Sequence, residues 1–189
     1  MKKEIEEQFG KIEVELEGLS PLLMHNIEGA DLEGKTTTKI KKYDLEEEAE
    51  KSAYWTSNGG KKQLCVPARC IHAMLLNAAK PFRQKNMSVA NLLAGAIRIE
   101  PFEIPLGTDK YVVDKQAVVV QKARIIRARP RLDEWKLKFN IMYHREYVGP
   151  DVLERILKDG GFKVGLLDYR PQKKGPYGTY RLSRFKVIN

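Results

Sequence analysis

The order in which two periodicities alternate along the chain is the strongest constraint on its fold. Apolar residues recur at every second position over 11–19 (Ile12, Val14, Leu16), the mark of a strand with one buried and one solvated face. Helical spacing takes over at 68–79: Pro67 opens the segment, Ile71, Met74, Leu75 and Ala78 share a face, and Pro81 closes it. Extended segments follow at 95–101 and 135–144, the second alternating through Leu137, Phe139, Ile141 and Tyr143. Gly149-Pro150-Asp151 starts a helix over 150–159, which Gly160-Gly161 is expected to stop, and a last strand covers 178–187. Strand, helix, strand, strand, helix, strand is the plan of an α+β, ferredoxin-like (RNA-recognition-motif-like) fold. The segments 20–66 and 102–130 are then insertions into one domain spanning 1–189.

The insertions carry weaker signals. Ser20-Pro21 ends the first strand, and an irregular stretch rich in Gly, Thr and Lys runs over 22–42. Asp44 is placed to cap a helix over Leu45–Trp55, with Glu46, Glu47 and Glu48 in its favourable first turn. Asn58-Gly59-Gly60 is a turn leading into a short strand, Gln63–Val66. Ser88 precedes a short helix over Val89–Leu93. Tyr111–Val120 and Lys122–Arg129 read as two strands or one bent strand.

Charge narrows the function classes. Residues 1–50 hold 7 basic and 14 acidic side chains, a balance of −7, whereas 51–189 hold 27 and 11, a balance of +16. A body at +16 attracts a polyanion. The acidic stretch Glu46–Glu48 with Glu50 would repel one, or dock on the basic face of a neighbouring copy. With no apolar run long enough to span a bilayer and no apolar stretch behind the N-terminal lysines, the expected location is the cytoplasm, with no membrane partner. Cys65 and Cys70, four residues apart and without a matching pair, read as buried thiols rather than metal ligands; no metal or cofactor is expected.

Two clusters suit nucleic acid. In the glycine-bearing loop, Gly165, Gly175 and Gly178 permit positive φ or close backbone approach, so that N–H groups can cradle phosphates. Arg170, Lys173 and Lys174 add charge there, and Tyr169 and Tyr177 offer stacking surfaces. The second cluster is Arg124, Arg127, Arg129 and Arg131; alternation puts the last three on one face if the strand continues past Pro130. Three planar guanidinium forks suit successive phosphates. Arg69 and His72, followed by Lys80, Arg83 and Lys85, lie on or just after the first long helix, and Lys35, Lys39, Lys41 and Lys42 crowd the first insertion. Trp55 and Trp135 read as packing residues. No Walker loop, GxGxxG, HExxH or GxSxG motif occurs.

Three segments together resemble the RAMP superfamily of CRISPR effector proteins. They are Leu19-Ser20-Pro21-Leu22-Leu23 at the end of strand one, Leu64–Leu75 with its apolar-Pro opening of the first helix, and Val164–Pro171 with Gly175–Tyr180 before the last strand. In the second segment the family's glycine and serines are absent, and His72 stands where lysine is usual. Size and insertions look most like the guide-coating backbone subunit. The resemblance implies that the insertions form a thumb-like projection reaching the next copy, and that the chain is a non-catalytic scaffold for antiviral defence. Its implied partners are guide RNA, complementary target nucleic acid, further copies of itself and other effector subunits. It also implies RNA backbone near the start of the first core helix, at Arg69 and His72. Related processing endonucleases often carry a catalytic histidine near His25, and some target-cleaving backbone subunits carry a catalytic aspartate near Asp31. A metal-independent endoribonuclease and a phage or mobile-element protein binding single-stranded DNA are the alternative readings.

Overall fold

The computed structural model describes residues 8–26, 44–120 and 123–188, without the side chains at 58, 118–120 and 123–125. Asp31 and Lys35, Lys39, Lys41 and Lys42 lie outside the described residues, as does the side chain of Arg124. The central sheet joins β1 (Phe9–Gly18), β7 (Ile97–Glu100), β11 (Lys136–His144) and β12 (Tyr180–Ile188) in the spatial order β12-β1-β11-β7, all antiparallel. In order of core strands this is 4-1-3-2, the ferredoxin-like arrangement. Ile12, Val14 and Leu16 of β1 meet Ile141, Phe139 and Leu137 of β11 in register and are all buried.

That apolar face packs on two helices, α2 (Ala68–Ala79) and α4 (Pro150–Lys163). Helix α2 buries the expected stripe of Ile71, Met74, Leu75 and Ala78. Helix α4 does not stop at the glycine pair; it continues to Lys163 with Gly160 and Gly161 buried. A side chain on Gly161 would place its Cβ 2.3 Å from the Tyr180 carbonyl oxygen, and one on Gly160 would lie 2.6 Å from Met74 Sδ. These glycines let the helix approach β12 and α2; they are not a terminator.

The two insertions pair with each other. Leu22–Leu23 (β2), Ala123–Leu132 (β10) and Val112–Val120 (β9) form one three-stranded sheet, and Trp55–Asn58 (β3), Lys61–Pro67 (β4) and Glu103–Pro105 (β8) another. β9 and β10 are two strands of a hairpin with nine paired positions, roughly 30 Å long at strand rise. Among the described residues it is the longest element of the inserted part. Helix α1 (Leu45–Lys51) packs on it, capped by Asp44, whose Oδ1 accepts from the N–H groups of Glu46 (3.0 Å) and Glu47 (3.3 Å). This helix ends four residues earlier than its pattern suggested, because Trp55 opens β3 and pairs with Leu64. The remaining elements are α3 (Val89–Ala96), which runs past Leu93 into β7, and the small hairpin of β5 (Arg83–Gln84) and β6 (Met87–Ser88). Among the described residues no helix is long and apolar enough to cross a membrane.

Candidate nucleic-acid interface

The glycine-bearing loop is folded on itself. Gly165 (φ +71°) and Gly178 (φ +69°) adopt the left-handed backbone, and a Cβ on Gly178 would lie 2.1 Å from the Leu166 carbonyl oxygen. Gly175 needs no unusual φ; its missing side chain makes room for the Tyr169 carbonyl. The close approach is therefore to the loop's own backbone. Many of its N–H groups are already used: Leu166 donates to Gly178, Gly175 to Arg170, Tyr177 to Tyr169, and Gly178 to Pro21. The Arg170 guanidinium is likewise spent locally, on the Leu167 carbonyl (2.7 Å) and Gln172 Oε1 (3.0 and 3.3 Å). What the loop turns outward is Lys173, Lys174 and Tyr169, the last 41 % exposed with its ring 5.9 Å from that of Tyr177.

The arginine row lies on one strand face as its spacing required, because β10 runs through Pro130, whose carbonyl accepts from Met24 N–H (2.9 Å). Arg127, Arg129 and Arg131 are each matched by an acid of the same chain. Arg127 donates to Glu48 of α1 (2.8 Å), and Glu48 also accepts from Ala128 N–H (3.1 Å). Arg129, 8 % exposed, donates to Asp168 (2.5 Å) and to Gln116 Oε1 (3.1 Å). Arg131 bridges Asp114 (3.0 Å) and Asp133 (2.7 Å), and these carboxylates hold its guanidinium protonated still more firmly than usual. The row binds the hairpin to its surroundings with its charge largely neutralised. The acidic α1 takes part in this pairing, since Glu48 faces the chain's own arginines.

Those contacts bring the two clusters together. Arg129–Asp168 joins hairpin to loop, and Gln116 Nε2 donates to the Tyr177 hydroxyl (3.1 Å). Asp168 N–H donates to Leu23 and Leu19 N–H to Thr179, so the first and third segments of the sequence resemblance touch. The second segment meets the third where the Tyr180 hydroxyl lies 3.1 Å from Met74 Sδ, and it contains the start of α2. Here Arg69 is exposed, with its guanidinium 5.8 Å from the centre of the Tyr54 ring, and half-buried His72 follows one turn later. Burial raises the Tyr54 hydroxyl pKa, and Arg69 partly opposes the shift. Burial also pushes the Cys65 thiol up to about 11 and raises that of Cys70, disfavouring the thiolate at both.

His25 lies at the edge of this region. Its carbonyl accepts from the Tyr54 hydroxyl (3.1 Å), and its Nδ1 is enclosed with no hydrogen-bond partner among the described residues. The solvated face of the central sheet is a lattice of ion pairs. Glu13, Glu15 and Glu17 on β1 meet Lys136 and Lys138 on β11 and Arg181 and Arg184 on β12. Among the described residues, aromatic rings enter only at its end, where Phe9 and His144 stack edge-on at 5.1 Å. The anchoring partners Asp168, Gln116 and Tyr54 carry no spacing signal. Each acquires its role from a chain crossing that local pattern does not encode.

No protein-family model matches this chain, and no curated protein matches its sequence. Its fold is similar to that of a chain in the cryo-electron-microscopy structure of the type III-B Cmr-β complex bound to cognate target RNA. The similarity has a TM-score of 0.57 at 13% sequence identity, over 100% of this chain and 64% of that one. This chain thus spans somewhat under two thirds of the length of the structure it matches, and at this identity the likeness is one of fold.

Proposed function

We propose that this protein is a non-catalytic RNA-binding subunit of a CRISPR-type effector complex, lying along a guide RNA in several copies. The observation that carries the reading is the convergence of the start of α2, the 165–178 loop and the hairpin base. Asp168 and Arg170 of the loop lie close enough to act on Tyr54 and Cys70 beside the start of α2, and the loop turns Tyr169, Lys173 and Lys174 outward, on a fold similar to that of a chain from an effector complex bound to target RNA. A charge of +16 over 51–189 supplies the attraction. The sheet face, filled by ion pairs, offers no aromatic pair at its centre for base stacking, which favours contact through the phosphates. Base edges are then left free to pair with a target.

Purification from native cells, followed by sequencing of whatever nucleic acid accompanies the protein, tests this. Short RNA of uniform length on particles much larger than the 21.7 kDa chain is the expected result. A nucleic-acid-free monomer without affinity for single strands would overturn it. Preference for DNA in a competition assay would favour the single-stranded-DNA reading. RNA cleavage lost on His25→Ala would replace the scaffold with a processing nuclease.

A further inference from the structure

The start of α2 borders a cleft of about 610 Å³, a size typical of small-ligand sites. Phe102 on its wall is 78 % exposed, although its backbone is fixed. The Phe102 carbonyl accepts from Ala68 N–H (2.8 Å), and the next residue, Glu103, pairs with Pro67 in the β4/β8 register. A large apolar ring held in water by a pinned backbone does little for the chain's own packing. Tyr54 and Trp55 line the same cleft.

Of the charged residues that line the cleft, Lys51 pairs with Glu47 (2.6 Å). Glu50 holds Lys62 (3.1 Å), and Glu103 accepts from the Thr56 hydroxyl (2.5 Å). Carboxylates on the wall repel a phosphate but accept hydrogen bonds from N–H donors. Arg69 adds an exposed cation to the lining. The complementary ligand has a flat π-face, amino or imino donors on its edge, and an anion attached outside.

We infer that this cleft takes one unstacked nucleobase of a bound single strand, its ring on Phe102, its donor edge toward Glu103 and its phosphate at Arg69. The inference rests on the single-strand-binding function proposed above and adds a base subsite to it. Guanine, adenine and cytosine present an exocyclic amino group to the carboxylate, whereas uracil offers only its N3 imino hydrogen, flanked by two carbonyl oxygens that the carboxylate repels, so the subsite disfavours uracil.

The test is fluorescence anisotropy with short labelled RNAs, joined to ultraviolet cross-linking mapped by mass spectrometry. Phe102→Ala weakens binding of a mixed-sequence RNA by about tenfold, the scale of one lost base–aromatic stack. Phe102→Trp retains binding. Phe162→Ala, which removes a ring 73 % exposed on α4, leaves affinity unchanged. The wild type binds oligocytidine more tightly than oligouridine, and Glu103→Gln narrows that gap. Cross-links fall on the peptides carrying Tyr54, Trp55 or Phe102. Because Phe102 is exposed, an unchanged melting temperature certifies the alanine variant as folded. Wild-type RNA binding that ignores Phe102→Ala, with cross-links only on the 165–178 loop or the hairpin, overturns the subsite and leaves the scaffold function standing. Absence of RNA binding by the wild type overturns both. Cleft protection by a co-purifying protein, with no RNA cross-link there, assigns the cleft to a peptide instead.

Discussion

Arg129 shows how one position can look like a ligand site in sequence and act as an anchor in space. Its guanidinium is almost enclosed, with Asp168 and Gln116 as partners, and Asp114 stands opposite it in the strand register. Removing it leaves Asp168 without its counter-charge and Gln116 Oε1 without its donor, and empties a nearly enclosed site beside Asp114. Arg129→Ala is therefore expected to cost about 3 kcal/mol in urea unfolding, and Arg129→Lys to rescue only part, since an ammonium cannot reach two partners as a planar fork does. Exposed Lys173→Ala and Lys174→Ala should each stay within about 0.5 kcal/mol of wild type. Equal stability of all these variants would show that the Arg129 contacts are incidental. Tyr180 is a second buried polar residue with a definite consequence. Its hydroxyl donates to the Leu157 carbonyl (3.0 Å), and burial raises its pKa far above the ordinary tyrosine value. Above pH about 10 the unfolded chain releases a proton that the folded chain keeps, so stability falls as pH rises. Tyr180→Phe should flatten that alkaline decline while costing about 1 kcal/mol near neutrality. Urea midpoints measured across the alkaline range check both parts; an unaltered slope would refute the assignment.

At the scale of elements, what was legible in the sequence is what local periodicity encodes. The burial stripe of α2 and the alternation of β1 and β11 follow directly from the spacing of their apolar residues, and these elements alone determine most of the central layer. The end of α4 was not legible, because a Gly-Gly pair is a stop signal only when nothing is packed against it. Here Tyr180 and Met74 occupy the space the side chains would need. Likewise α1 yields to β3 because Trp55 gains strand partners from β4, a non-local term absent from capping rules. The candidate site divides the same way. Positions on a face were readable, as for Arg127, Arg129 and Arg131, but their acidic partners come from α1, β9 and the late loop, and sequence spacing says nothing of those meetings. Glycine substitutions test the packing account of α4. Gly161→Ala should destabilise by about 3 kcal/mol through overpacking against β12. Gly95→Ala, in α3 with none of the described residues within 4 Å of its added Cβ, should stabilise by about 0.5 kcal/mol through helix propensity. Thermal denaturation of the two variants decides; shifts of the same sign would contradict the account.

For the whole molecule, the decisive quantity is how much of the +16 over residues 51–189 remains available to a polyanion once internal pairing is counted. The arginine row is matched by Glu48, Asp168, Asp114 and Asp133, and the lysines and arginines of the sheet face by Glu13, Glu15 and Glu17. Lys173 and Lys174 stand exposed on the tip of a loop whose own backbone fixes their position, which makes them the strongest candidates for phosphate contacts. Each phosphate contact on a single strand contributes about 0.7 to the slope of log affinity against log salt. Lys173→Ala combined with Lys174→Ala should therefore lower the magnitude of that slope by about 1.4, and weaken binding equally for RNAs of different sequence. Arg127→Ala should change the slope by much less, because Glu48 already offsets its charge in the unbound protein. Anisotropy titrations over a range of salt concentrations measure both. A slope unaffected by the double lysine variant, but reduced by Arg127→Ala, would mean that RNA displaces Glu48 and binds along the hairpin, moving the interface from the loop to the arginine row.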